Sequence, residues 1–168
     1  MSNPGLTNLS TQPGEDPITI AITPTISAAA IYAAGDAIGG KLTFANAVRA
    51  AGRGGTIVKV VVVDDDKELA PVDLVLFDRD FGATADNAPF DPTDADMENC
   101  MGYIDVAATD YASFNDNSVA AKASGLRMPF DYDLAAGETS LFGQLVVRGT
   151  PTYTAVGDLT VKITVQRR

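Results

Sequence analysis

The chain has 168 residues, enough for one domain, and its 46% hydrophobic and 20% charged residues are a globular balance that excludes wholesale disorder. Its 22 Asp and Glu against 12 Lys and Arg leave a net charge of −10, and only Arg167-Arg168 places two cations side by side, so no nucleic-acid partner is expected. No apolar run approaches the ~20 residues that span a bilayer, and Met1 is not followed by a basic segment and an apolar core, so neither a membrane partner nor a secretion signal is expected.

Met1 to Asp16 carries Pro4, Gly5, Pro13 and Gly14 among small polar residues, with Leu6 and Leu9 as its sizeable apolar groups. Such a segment cannot offset its own backbone entropy, about 1–2 kcal/mol per residue. It is expected to be an extended N-terminal arm (residues 1–16) that lays Leu6 and Leu9 on a neighbouring subunit.

Residues 17–168 read as strands separated by turn chemistry. Ile18, Ile20 and Ile22 alternate with Thr19 and Ala21 before Pro24. Ala28 to Ala37 is alanine-rich but lacks caps and contains Gly35-Asp36, which predicts a loop or a single turn. Leu42 and Phe44 alternate with Lys41 and Thr43. Ile57 to Val63 and Val72 to Phe77 are β-branched-rich runs flanking Asp64-Asp65-Asp66-Lys67, a solvated turn. A short helix is predicted around Asp94 to Cys100, capped by Thr93 and favoured by acids in its first turn. Ile104, Val106 and Ala108 make a weaker strand, and Leu126, Met128, Phe130 and Tyr132 alternate with Arg127, Pro129 and Asp131. Leu141 to Val147 follows, and the cleanest strand is last: Leu159, Val161, Ile163 and Val165 inward, Thr160, Lys162, Thr164 and Gln166 outward. The expected fold is all-β, a β-sandwich or jelly-roll of about eight strands with one short helix. Ile18, Ile20, Leu42, Leu74, Phe130, Leu145, Val161 and Ile163 are its expected buried residues.

Two strands are apolar on both faces and must be covered on both. In the first, Val58, Val60 and Val62 are as apolar as Ile57, Val61 and Val63. In the second, Phe142 and Val146 oppose Leu141, Leu145 and Val147. Either a long loop covers these faces, or Val58, Val60, Val62, Phe142 and Val146 form a subunit interface.

The residues that carry chemistry are sparse. There is no histidine, which removes the commonest general base and transition-metal ligand. Cys100 is the single cysteine, with no histidine to activate it and no partner for an intrachain disulfide. Gly35-Asp36-Ala37-Ile38-Gly39-Gly40-Lys41 begins like a phosphate-binding loop, but Leu42 stands where Ser or Thr should hold magnesium, and a strand follows instead of a helix. Asp80-Phe81-Gly82 copies a kinase triplet without the rest of that signature. Asp91, Asp94, Asp96 and Glu98 are the weak candidate for a metal, since calcium takes about six to eight oxygen ligands; their spacing is not that of an EF-hand, and capping with solvation accounts for them. Paired carboxylates that cleave glycosides normally sit beside aromatic platforms, and tryptophan is absent. No catalytic residue, no cofactor and no metal are expected, and the chain is not expected to be an enzyme.

Four blocks carry a resemblance: Ile26 to Phe44, Val72 to Asp78, Asp94-Ala95-Asp96-Met97 leading to Gly102, and Val147 to Tyr153. Together they resemble a group of tailed-phage virion structural proteins. The resemblance implies a small virion protein made in the bacterial cytoplasm, and within that group a capsid decoration or cement subunit on the capsid exterior. The implied partners are the major capsid protein and the chain itself, as a trimer rather than a dimer. The alternative is a tail- or fibre-associated module binding a host glycan, and a third reading is a secreted or cell-surface β-domain.

Overall fold

A computed structural model describes residues 17–168, and the fold is nearly all β. In chain order the strands are β1 (Ile18–Ile22), β2 (Ala37–Phe44), β3 (Gly54–Asp64), β4 (Val72–Phe77), β5 (Cys100–Val106), β6 (Tyr111–Ser113), β7 (Ser118–Lys122), β8 (Phe130–Asp133), β9 (Leu141–Val147) and β10 (Leu159–Arg167). One short helix, α1 (Asp94–Met97), precedes β5. Leu6 and Leu9, with the rest of the expected arm, lie outside the described residues.

The strands form two antiparallel sheets. A six-stranded sheet runs β1-β10-β3-β7-β6, with β8 also paired to β3; a four-stranded sheet runs β2-β9-β4-β5. Their facing sides make the core. Ile57, Val60, Val62, Val161 and Ile163 come from one sheet, and Leu42, Phe44, Leu74, Leu76, Ile104 and Leu145 from the other. Burying each such side chain contributes roughly 1.5–3 kcal/mol. Leu42, Leu74, Leu145, Val161 and Ile163 are buried as their alternation predicts. Ile18, Ile20 and Phe130 pack against the core only partly buried, because β1 is an edge strand and β8 is short.

The structure departs from expectation in several places. Among the described residues there are ten strands rather than eight, because β6 is three residues long and β7 is built of small side chains that show no apolar alternation. The run from Leu126 is not all strand: Gly125 and Met128 bridge a tight turn, and Leu126 at its tip is 91% exposed. The Asp64 turn is not simply solvated. Asp64 is buried and accepts hydrogen bonds from the backbone N–H groups of Asp66 (3.2 Å) and Leu69 (2.8 Å) and from Ser118 Oγ (3.2 Å). It thereby fixes the corner where the chain crosses between sheets.

In β3 the correction is to the two-face pattern. Thr164 pairs with Lys59 and Val165 with Ile57, so Val58 is the extra residue of a β-bulge. The bulge resets the alternation. Ile57 and Val60 both point inward although three apart, and Val60 and Val62, each 1% exposed, lie in the inter-sheet core rather than at an interface. Val58 is half-buried beside the bulge.

Candidate interaction face

The two outer faces of the sandwich differ. On the four-stranded sheet, Val75, Phe77, Phe142 and Val146 point away from the main core and form a second cluster with Phe81, against which Phe90 and Cys100 pack. Residues 78–99 supply this cover, and the Phe77 and Phe81 rings stack with centroids 3.9 Å apart. Phe142 and Val146 therefore lie under a long loop of their own chain and are not surface-contact residues.

Polar side chains fasten the cover. Gln144, fully buried on the same face, accepts from Thr84 N–H (3.0 Å) and donates to the carbonyls of Thr84 (2.7 Å) and Gly39 (3.0 Å). Asp86 accepts four hydrogen bonds: from Ser27 N–H (2.8 Å), Ser27 Oγ (2.5 Å), Tyr32 Oη (2.7 Å) and Gly39 N–H (2.5 Å). Burial, then the Asp86 hydrogen bond, keeps the Tyr32 hydroxyl protonated well above the ordinary tyrosine range. Gly39 is required here, since its φ is +64° and an added Cβ would lie 2.6 Å from Pro24 Cβ. Of the glycines that resembled a phosphate loop, Gly39 thus serves close packing and Gly35 a left-handed turn (φ +102°), and the segment runs into β2. Lys41, from the same stretch, pairs with Asp80 at the start of the cover, which holds the Asp80 carboxyl below the usual range.

The predicted helix is present and capped by Thr93, whose Oγ1 accepts from Asp96 N–H (3.2 Å) and donates to Asp96 Oδ2 (2.8 Å). Asp91, Asp94 and Glu98 point outward from the cover. Among the described residues, no group of three or more His, Cys, Asp or Glu is placed to hold a metal ion. None of the described helices is long and apolar enough to cross a membrane.

The outer face of the six-stranded sheet is bare of any such cover among the described residues. Strand register lines up its outward residues in rows across the sheet. One row runs Thr23, Thr160, Val63, Val119, Ala112; the next runs Ala21, Lys162, Val61, Ala121; the third runs Thr19, Thr164, Lys59. Hydroxyl pairs tie β1 to β10, Thr19 to Thr164 at 2.9 Å and Thr23 to Thr160 at 2.7 Å. These rows contain small and β-branched side chains, two lysines and no carboxylate. In a chain of net charge −10, that absence of acid is a local charge separation.

At one side of the sandwich, β5 meets the turn that follows β7. The Arg127 guanidinium lies 4.0 Å over the Tyr103 ring and donates to its hydroxyl (2.6 Å). Lys122 pairs with Asp105 (2.7 Å) and holds that carboxyl below its usual range. These contacts close the gap between the sheets.

In comparison with known proteins, no family model matches the chain and no curated protein matches it. The four blocks that carry the resemblance all fall on the four-stranded sheet and its surroundings: β2 with the loop before it, β4, α1 with the start of β5, and the end of β9. The first and last are packed together, the Tyr32 and Tyr153 rings meeting edge-on at 6.0 Å. The bare face was not singled out from sequence, although the outward Thr160, Lys162 and Thr164 were its visible signal.

Proposed function

We propose that this chain is a non-enzymatic structural subunit of a tailed-phage virion, a decoration or cement protein that sits on the capsid exterior through the bare face of its six-stranded sheet. The observation that carries this is the asymmetry between the two outer faces. One is sealed by the chain's own loop, while the other presents flat rows of Thr, Val and Ala. Short side chains lose little rotamer freedom on docking, and a sheet face is already rigid, so little ordering cost opposes binding. Lys59 and Lys162 favour an acidic partner surface, here assigned to the major capsid protein. The resemblance to virion proteins supports the same role, with self-association into a trimer on the shell. The arm, Met1 to Asp16, is proposed to reach a neighbouring subunit through Leu6 and Leu9.

The test is to offer purified protein to expanded capsids and, separately, to host cells. Attachment to capsids, lost in the double variant K59E/K162E, is the expected result. Attachment to cells but not to capsids overturns the decoration role in favour of a tail- or fibre-associated glycan-binding module.

A further inference from the structure

The last strand of a sheet shows a row of unpaired N–H and C=O groups, and proteins shorten, charge, bulge or cover such edges to prevent stray pairing. Among the described residues, the edges at β2, β5, β6 and β8 are protected in these ways. β6 is three residues long, and β8 starts straight after Pro129 and carries Asp131 and Asp133. β2 breaks register between Ile38 and Leu42, carries Lys41, and at Ala37 is bonded to Asn87 (2.9 Å) and Ala88 (2.8 Å) of the cover. β5 has a register shift opposite Phe77, and its Asp105 is tied to Lys122 (2.7 Å) and Arg127 (3.7 Å). β1 has none of these devices. Ile18–Ile22 is uncharged, free of Gly and Pro, and pairs with β10 residue for residue, and its three isoleucines are only half-buried. We infer that the free edge of β1 receives residues 5–12 of a neighbouring copy's arm as an added strand.

The arm's sequence fits that edge. Residues 5–12 lie between Pro4 and Pro13, so every one of them can offer a backbone N–H, and like β1 they carry no charge. Alternation sets Thr7, Leu9 and Thr11 on one side and Leu6, Asn8 and Ser10 on the other. With Leu9 turned towards the half-buried isoleucines, Leu6, Asn8 and Ser10 extend the outer face beside the exposed Thr19 and Ala21. In strand addition of this kind the main-chain hydrogen bonds supply affinity, and alternate side chains fix the register.

The place where the arm joins favours a neighbour as donor. Pro17 stands directly before Ile18 and biases Asp16 towards extended backbone, so the arm leaves along the direction of β1 and away from that strand's own edge. Fully extended, residues 1–16 reach up to roughly 55 Å, enough to cross to an adjacent subunit. Reversal at Pro13-Gly14 onto the chain's own β1 is the competing arrangement. The neighbour as donor rests on the self-association proposed above, while the openness of the edge does not.

The test uses full chains that all carry C100S, so that introduced cysteines stand alone. Chains with N8C and chains with A21C are mixed in equal amounts and treated with a short bis-maleimide, both in solution and after addition to expanded capsids. A crosslinked pair holding one chain of each kind is expected in at least one of the two conditions. It should form roughly tenfold or more faster than the pair from N8C and S113C, which sets the second cysteine on the β6 edge, because pairing raises the local concentration of the two thiols. T19C serves as a second acceptor on β1 and should behave like A21C. A crosslink formed only within chains carrying both N8C and A21C means that the arm folds back on its own strand, and it overturns the neighbour as donor. A crosslink from N8C to the capsid protein in place of A21C overturns it as well. No crosslink in either condition, or equal rates with A21C and S113C, overturns the edge pairing itself. Capsid attachment separates this result from the docking role. If K59E/K162E attaches normally while the N8C and A21C chains still crosslink, the docking face fails and the edge pairing stands; if K59E/K162E loses attachment and no crosslink forms, the docking face stands and the edge pairing fails.

Discussion

Asp86 concentrates more of the polar bonding than any single turn signal in the chain would suggest. Its carboxylate receives two backbone N–H groups and two hydroxyls, one of them the fully buried Tyr32. Removing it leaves those donors without an acceptor, so D86A should lower the unfolding free energy by roughly 3 kcal/mol or more, while Y32F, which removes one partner only, should cost about 1.5–3 kcal/mol. Urea titrations with an unchanged m-value check both; equal effects would mean that Asp86 acts through Tyr32 alone. Buried tyrosines also set the alkaline limit. Burial raises the hydroxyls of Tyr32, Tyr111 and Tyr153 well above the ordinary value, and that of Tyr132 to about 12. A raised folded value means that the native state holds its proton more tightly than the unfolded chain. The stability so gained is complete below the unfolded value of 10.0 and falls as pH climbs towards 12, by up to about 1.4 kcal/mol per unit for each group. The phenolate absorbance of these four tyrosines and the loss of β-structure circular dichroism are expected to rise together in one step. Gradual ionisation with the fold intact would contradict this.

The cover over the four-stranded sheet is the element that sequence patterning leaves half-determined. Alternation located β10 closely, and dense apolar runs located β4 and β9, each a regular strand buried along its length. Patterning also showed that β9 needs covering on both faces, without saying by what. The answer depends on Gln144 and Asp86, polar residues whose partners are 47 to 105 positions distant, and no local period encodes such pairings. In β3 the failure was different. A bulge at Val58 shifts the phase by one residue, so a correct strand assignment yielded the wrong faces for Val60 and Val62. Replacing Gln144 by Leu keeps the volume but strands the Thr84 and Gly39 groups. Q144L should therefore raise hydrogen-exchange rates at residues 79–90 by more than tenfold, about 1.4 kcal/mol or greater, while β10 amides stay protected. Uniform acceleration across both sheets would show that the cover is not a separate unit.

For the molecule as a whole, the expected consequence of the face asymmetry is that assembly and stability can be varied apart. K59E/K162E should attach poorly to capsids yet melt near the wild-type temperature, since both lysines face outward from the six-stranded sheet. Deleting Met1 to Gly14 should likewise leave the melting temperature nearly unchanged while weakening attachment; tight decoration by that truncated chain would make the arm a passive tail. The pairing of β10 with both β1 and β3 bears on a different matter, the timing of folding. The strand that joins the earliest and the central strands of the larger sheet is made of residues 159–167, so β1 has no described partner strand, and β3 lacks one flank, until those residues emerge from the ribosome. The larger sheet must form after nearly all of the described chain has been synthesised, by long-range closure of the kind that makes β-sandwiches slow to fold. A nascent chain stalled before Leu159 should be digested by protease as readily as an unfolded one, and resistance should appear only once Arg167 has cleared the exit tunnel.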